Sequence, residues 1–65
     1  MNATQKAERR IEAVTALRRA IAKGLDVAAF ADKLHKHPEA IGRWLGGQNL
    51  PPAATADAIL ELLGK

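Results

Sequence analysis

Cysteine is absent from this 65-residue sequence, tyrosine is absent too, and phenylalanine and tryptophan occur once each. Without cysteine there is no disulfide framework, no thiolate metal ligand and no sulfur nucleophile. Serine is also missing, so a serine hydroxyl nucleophile has no candidate either. His35 and His37 are the only histidines, too few for a zinc site without carboxylate help. No catalytic residue, metal site, cofactor or small-molecule substrate is expected. No stretch approaches the roughly 20 apolar residues of a membrane span. An apolar signal-peptide core is lacking as well, which makes the cytoplasm the expected location. Neither a strand pattern nor a repeat or low-complexity segment appears.

What is present is charge and helical periodicity. The formal charge is +3 and the pI about 9.8, a balance that suits an anionic partner. The excess is uneven. Residues 1–23 hold six bases against Glu8 and Glu12, a net of +4. Residues 24–50 hold three of each sign and are neutral, and residues 51–65 are −1. The basic side therefore belongs to the first helix, and Arg18, Arg19 and Lys23 are its candidates for phosphate contact. The plainer alternative is a solvated face, with the stem of Arg18 partly buried.

The spacing predicts an all-α fold, a compact bundle of about four helices forming one domain over residues 1–65. Ala7, Ile11, Val14, Leu17 and Ile21 recur at helical intervals and mark a first helix over 5–23, with its core face on that stripe. Residues 1–4 are expected to fray, and the alanines at 13, 16, 20 and 22 to add propensity more than core. Gly24 is a left-handed stop. Asp26 caps a second helix over 27–34, whose inner face is Val27, Phe30, Ala31 and Leu34. Pro38 fits the first turn of a third helix over 38–45, with His37 as a mediocre cap and Glu39 beside the positive end of the dipole. Gly46 and Gly47 end it. A fourth helix over 52–63 carries Ala56, Ile59, Leu60 and Leu63 on one stripe, with Leu62 at its edge. A 65-residue chain buries only about 60% of its unfolded surface, so stability should be modest.

Two short helices joined by a three-residue break, 27–34 and 38–45, form a helix-turn-helix pattern. On the second of them Ile41, Trp44 and Leu45 cluster within roughly 100° and must face the core. Glu39 and Arg43 lie opposite, with the small Gly42 and Ala40 on either side. A helix entering a major groove about 12 Å wide needs such a thin outer face. Arg43 can fork onto guanine N7 and O6, and Glu39 can accept from cytosine N4. A surface pair between Arg43 and Glu39 is the competing use of both. Lys36, His37, Gln48 and Asn49 flank the helix, where donors would meet phosphates, although a turn histidine can equally be merely solvated. Leu60 and Leu62 complete the core or form a dimer seam.

The run LRRAIAKGLDVAAFADKLHKHPEAIGRWLGGQNLPP resembles the lambda-repressor-like, or Cro/repressor, helix-turn-helix family of phage and bacterial transcription regulators. The likeness covers Leu17 to about Leu63. It rests on Phe30-Ala31-Asp32-Lys33-Leu34, the turn, and then Ile41, Trp44-Leu45 and Gly46. The resemblance implies double-stranded DNA as partner, the second helix of the pair in the major groove, and a homodimer reading two half-sites one turn apart. The family's base-reading positions fall on His37, Pro38, Glu39, Gly42 and Arg43. Three departures stand out: His35 occupies the place of a turn glycine, Lys36 that of an apolar residue, and Val27 that of a phosphate-binding glutamine. A single reading helix makes few base contacts, and Leu60, Leu62 and Leu63 are the expected dimer interface. The alternative function is a protein-binding module on the same fold, such as an inhibitor, an antitoxin-like partner or an adaptor. The neutral charge of residues 24–50 and the apolar surplus near the C-terminus favour that alternative.

Overall fold

The computed structural model describes residues 3–64, with side chains from residue 5 onward. Its elements are α1 (Ala3–Ala22), α2 (Val27–Leu34), α3 (Pro38–Leu45) and α4 (Ala53–Leu62), with no strand among the described residues. The fold is all-α, as the periodicity predicts. Of the four residues expected to fray, Met1 and Asn2 lie outside the described residues, whereas Ala3 and Thr4 already belong to α1. Twenty residues at 1.5 Å each give α1 a length of about 30 Å. That accounts for the longest dimension of the molecule, 32 Å.

Each helix ends where local chemistry stops it. Gly24 adopts φ 110°, and beside it the Leu25 N–H reaches the Ala20 carbonyl while the Gly24 N–H reaches that of Ile21. This Schellman arrangement satisfies carbonyls that the helix leaves open. Asp26 then opens α2, its carboxylate accepting from the Ala28 and Ala29 N–H groups. Such a cap stabilises by about 0.5–2 kcal/mol relative to alanine. The fourth helix begins one residue later than the double proline suggests. Pro52 stays extended at φ −56° and ψ 155° and offers no side-chain cap, while Pro51 is fully buried.

The core is one cluster drawn from all four helices. Leu17, Ile41 and Ile59 are its fully buried large aliphatic residues, joined by Phe30, Leu34, Trp44 and Leu60. Burying such a side chain is worth about 1.5–3 kcal/mol each.

Helix α1 departs from the expected stripe. Ala13, Val14, Ala16 and Leu17 are buried, but Ile11 is 54% exposed, and Ala7 and Ile21 are only half-buried. Ile11 lies about 120° around the helix axis from Leu17. The buried face is rotated toward the alanines because α1 makes its most extensive packing with α4. Small side chains at Ala13, Ala16 and Ala56 leave room for two backbones to approach. The alanines of α1 at positions 13 and 16 are therefore core residues, not merely helix formers.

Candidate nucleic-acid interface

The α2–turn–α3 unit is shaped by three residues. His35 sits in the left-handed region at φ 57° and ψ 39°, and is the one non-glycine among the described residues with positive φ. Around it the His35 N–H reaches the Asp32 carbonyl and the Lys36 N–H reaches that of Ala31, which closes α2. Histidine thus does what a glycine does more readily at such a cap. His37 returns to extended backbone at φ −74° and ψ 141°. Its Nδ1 accepts from the Glu39 N–H at 3.2 Å, a better cap than the residue type suggests. Pro38 occupies the first turn, where its missing N–H leaves nothing unsatisfied. The fully buried Ala31 lets α2 and α3 meet at this corner.

The two faces of α3 separate as the helical wheel requires. Ile41 and Trp44 are buried, and Leu45 packs against the core from its edge. Glu39, Gly42 and Arg43 are exposed, and Ala40 is half-buried. Arg43 does not pair with Glu39: the ion pair formed among the described residues joins Arg9 to Asp57 at 2.7 Å. Gly42 has no internal reason to be glycine, since a Cβ placed there would meet nothing within 4 Å. A helix-interior glycine destabilises by roughly 0.5–1 kcal/mol relative to alanine.

After α3 the backbone turns through Gly47 at φ 79°, and the Gln48 N–H closes onto the Arg43 carbonyl. Two arginines of α1 brace this loop. Arg18 donates through Nη2 to the Leu45 carbonyl at the negative end of α3. Arg10 donates through Nε to the Pro51 carbonyl at 2.7 Å and through Nη2 to that of Leu50 at 3.3 Å. Between these anchors Gln48 and Asn49 are exposed.

The residues singled out from sequence thus fall into groups. Lys36, His37, Pro38, Glu39, Gly42, Arg43, Gln48 and Asn49 are all exposed on the turn, on α3 or on the loop that follows it. Arg19 and Lys23 are exposed at the C-terminal end of α1. Arg18 is exposed as well, and one N–H of its guanidinium is engaged with the Leu45 carbonyl. Leu60 is corrected: only 4% exposed, it belongs to the core of its own chain and is not open for a dimer seam. Of that trio Leu62 is 47% exposed, and Leu63 is half-buried against the core. Arg10 was not anticipated. Its signal was available, since it stands three and seven residues before Ala13 and Leu17, on the core side of α1.

Among the described residues there is no pocket, no group of three or more side chains able to hold a metal ion, and no buried charged side chain. No helix of the described chain is long and apolar enough to cross a membrane. The candidate site is a surface built from the turn, α3 and the following loop. A family model described as helix-turn-helix, of the Cro/repressor type, matches residues 16–65, which takes in α2, α3, α4 and the last turns of α1. No curated protein and no solved structure gives a match. With most of its length matched, and with the turn, caps and faces in place, the chain belongs to the lambda-repressor-like helix-turn-helix family of DNA-binding transcription regulators.

Proposed function

We propose that this protein is a sequence-specific, repressor-like regulator that binds double-stranded DNA as a homodimer with α3 in the major groove. Gly42 carries the reading. It lies mid-helix on the exposed face of α3, nothing in the chain requires it, and a groove-binding helix gains from its thinness. On this reading His37, Pro38, Glu39, Gly42 and Arg43 face base edges, and the unpaired Arg43 supplies a bidentate fork for guanine. Lys36, Gln48, Asn49, Arg19 and Lys23 meet phosphates and set the register of the helix on the duplex. Arg18 acts at one remove by tying α3 to α1. Leu62, with the edge of Leu63, is the α4 surface offered to a second copy.

The first half of α1 precedes the matched segment, yet we assign it to the same domain. Ala13 and Val14 are core residues, and Arg9 and Arg10 tie this half to α4 and to the residues just before it. A second reading, a protein-binding module, draws on the neutral charge of residues 24–50 and on exposed Ile11 and Leu62. Selection from random-sequence duplex DNA, with affinity read at two salt concentrations, separates the two. A single enriched, palindromic motif bound well above unselected DNA supports the regulator and reports half-site spacing. Salt-dependent binding without enrichment means that phosphates are held but bases are not read. No binding at low salt, with a stoichiometric protein partner recovered instead, transfers the function to the second reading.

A further inference from the structure

The hydrogen bond that caps α3 also determines what His37 can show to a ligand. A neutral imidazole has one nitrogen that accepts and one that donates. Nδ1 accepts from the Glu39 N–H, so the proton of the neutral ring is on Nε2. The residue is exposed, and Nε2 has no hydrogen-bond partner in the described chain. The cap thus fixes the tautomer and leaves one N–H donor at the first turn of α3. His35, two residues earlier, is exposed with no side-chain hydrogen bond, and nothing selects between its tautomers. Beside His37 the exposed carboxylate of Glu39 has the opposite polarity and can only accept.

We propose that His37 is a specificity-determining residue whose Nε2–H, held in one tautomer by the cap, donates to an acceptor on the DNA and disfavours an amine at that place. The inference rests on the reading of α3 as the DNA-facing helix. In the major groove the acceptors are purine N7, guanine O6 and thymine O4, and the amines that a donor cannot satisfy are adenine N6 and cytosine N4. A phosphate oxygen has the same accepting chemistry, and uniform rather than sequence-dependent loss distinguishes it. The ring has no freedom to reverse its polarity without giving up the Glu39 N–H. A histidine without such a cap would satisfy donors and acceptors alike and discriminate less.

Two substitutions divide the ring's functions. His37→Asn keeps an acceptor near the position of Nδ1, in a residue favoured at helix N-caps, and deletes the outer donor. His37→Gln keeps an amide donor near the position of Nε2 and surrenders the cap. Nitrogen NMR of the free protein, in mildly alkaline buffer where imidazole is neutral, should find the Nε2–H tautomer at His37. On a duplex selected by the wild type, His37→Asn should melt no lower than wild type yet bind about three- to tenfold more weakly, the worth of one hydrogen bond. His37→Gln should melt lower and, because an uncapped amide can present either its N–H or its oxygen, should discriminate less between an acceptor and an amine at that place. If the asparagine loss vanishes on duplexes changed at one base pair, the acceptor is a base edge. If it is uniform over all duplexes, the acceptor is a phosphate and the specificity-determining role of His37 is overturned. An Nδ1–H tautomer at His37 would overturn the proposal, as would His37→Asn binding every duplex as wild type does. Wild type that binds no duplex at low salt would overturn the DNA reading itself and the acceptor with it.

Discussion

Gly42→Ala places stability and function in opposition, and the structure supplies the magnitude of each. The added Cβ meets nothing within 4 Å, and Gly42 is not among the residues of positive φ, so no strain opposes alanine there. Alanine in a helix interior is favoured over glycine by about 0.5–1 kcal/mol, partly because it restricts the unfolded chain. For a domain of this size 1 kcal/mol raises the melting temperature by about 4–8 °C. The variant should therefore melt about 2–8 °C higher, followed by circular dichroism, with an unchanged urea m-value. Binding should move the other way. A methyl group on the thinnest part of α3 holds the helix off the base edges, and affinity for a selected duplex should fall by about tenfold or more, or about 1.4 kcal/mol. A lower melting temperature would refute the open surroundings of Gly42. A higher one with unchanged affinity would refute its place at the contact.

Other substitutions test separate parts of the same surface. Arg43→Ala should cost about 1–3 kcal/mol on the selected duplex and relax preference at one base pair, with stability unchanged; equal binding by wild type and variant would remove Arg43 from base reading. Lys36→Ala should weaken binding to all sequences alike and reduce the slope of log affinity against log salt by about 1, measured by fluorescence anisotropy over a salt series. His35→Gly should stabilise the fold by about 1 kcal/mol in urea unfolding, because glycine enters the left-handed region without the Cβ penalty. Trp44→Ala should remove about 3–5 kcal/mol, a large part of what a domain this small has in total, and be largely unfolded by circular dichroism.

The elements most legible in the sequence were those whose ends are determined by neighbouring residues. Asp26, Pro38 and the Gly46-Gly47 pair act within a turn of their helices, and α2 begins, and α3 begins and ends, where those residues place them. The inner face of α3 was equally readable, since Ile41 and Trp44 outweigh everything else on that helix. Helix α1 was harder for a physical reason. Hydropathy favours Ile11 over Ala13, but closely packed helices favour the small side chain, and only the partner helix reveals which criterion prevails. Leu60 poses the same difficulty, because a leucine stripe looks alike whether it packs on its own chain or on a second one. The arginine contacts join residues 27 to 41 positions apart, beyond the reach of any local pattern. His37 was legible in principle, since capping by Nδ1 involves a residue two positions away.

These arginine contacts bear on how the surface is held. The caps orient α3 at its start, where the left-handed His35 and the His37 ring fix the angle of entry. At its end no side chain of α3 or of the loop does so; Arg18 holds the Leu45 carbonyl, and Arg10 holds those of Leu50 and Pro51. Both arginines stand on the helix that also carries most of the positive charge, so α1 serves the interface in two ways. Arg10 and Arg18 donate to carbonyls on either side of the loop and keep Gln48 and Asn49 in one place. Arg19 and Lys23 remain exposed for a phosphate backbone. Bonds to neutral carbonyls leave the charges of Arg10 and Arg18 in place, so both still add to the field of residues 1–23 while part of their donor capacity is taken up by the loop. Arg9 is committed to Asp57, and Arg10 and Arg18 to backbone carbonyls. Replacing Arg18 should consequently disturb sequence preference through the position of α3, whereas replacing Arg19 should lower affinity for all duplexes equally.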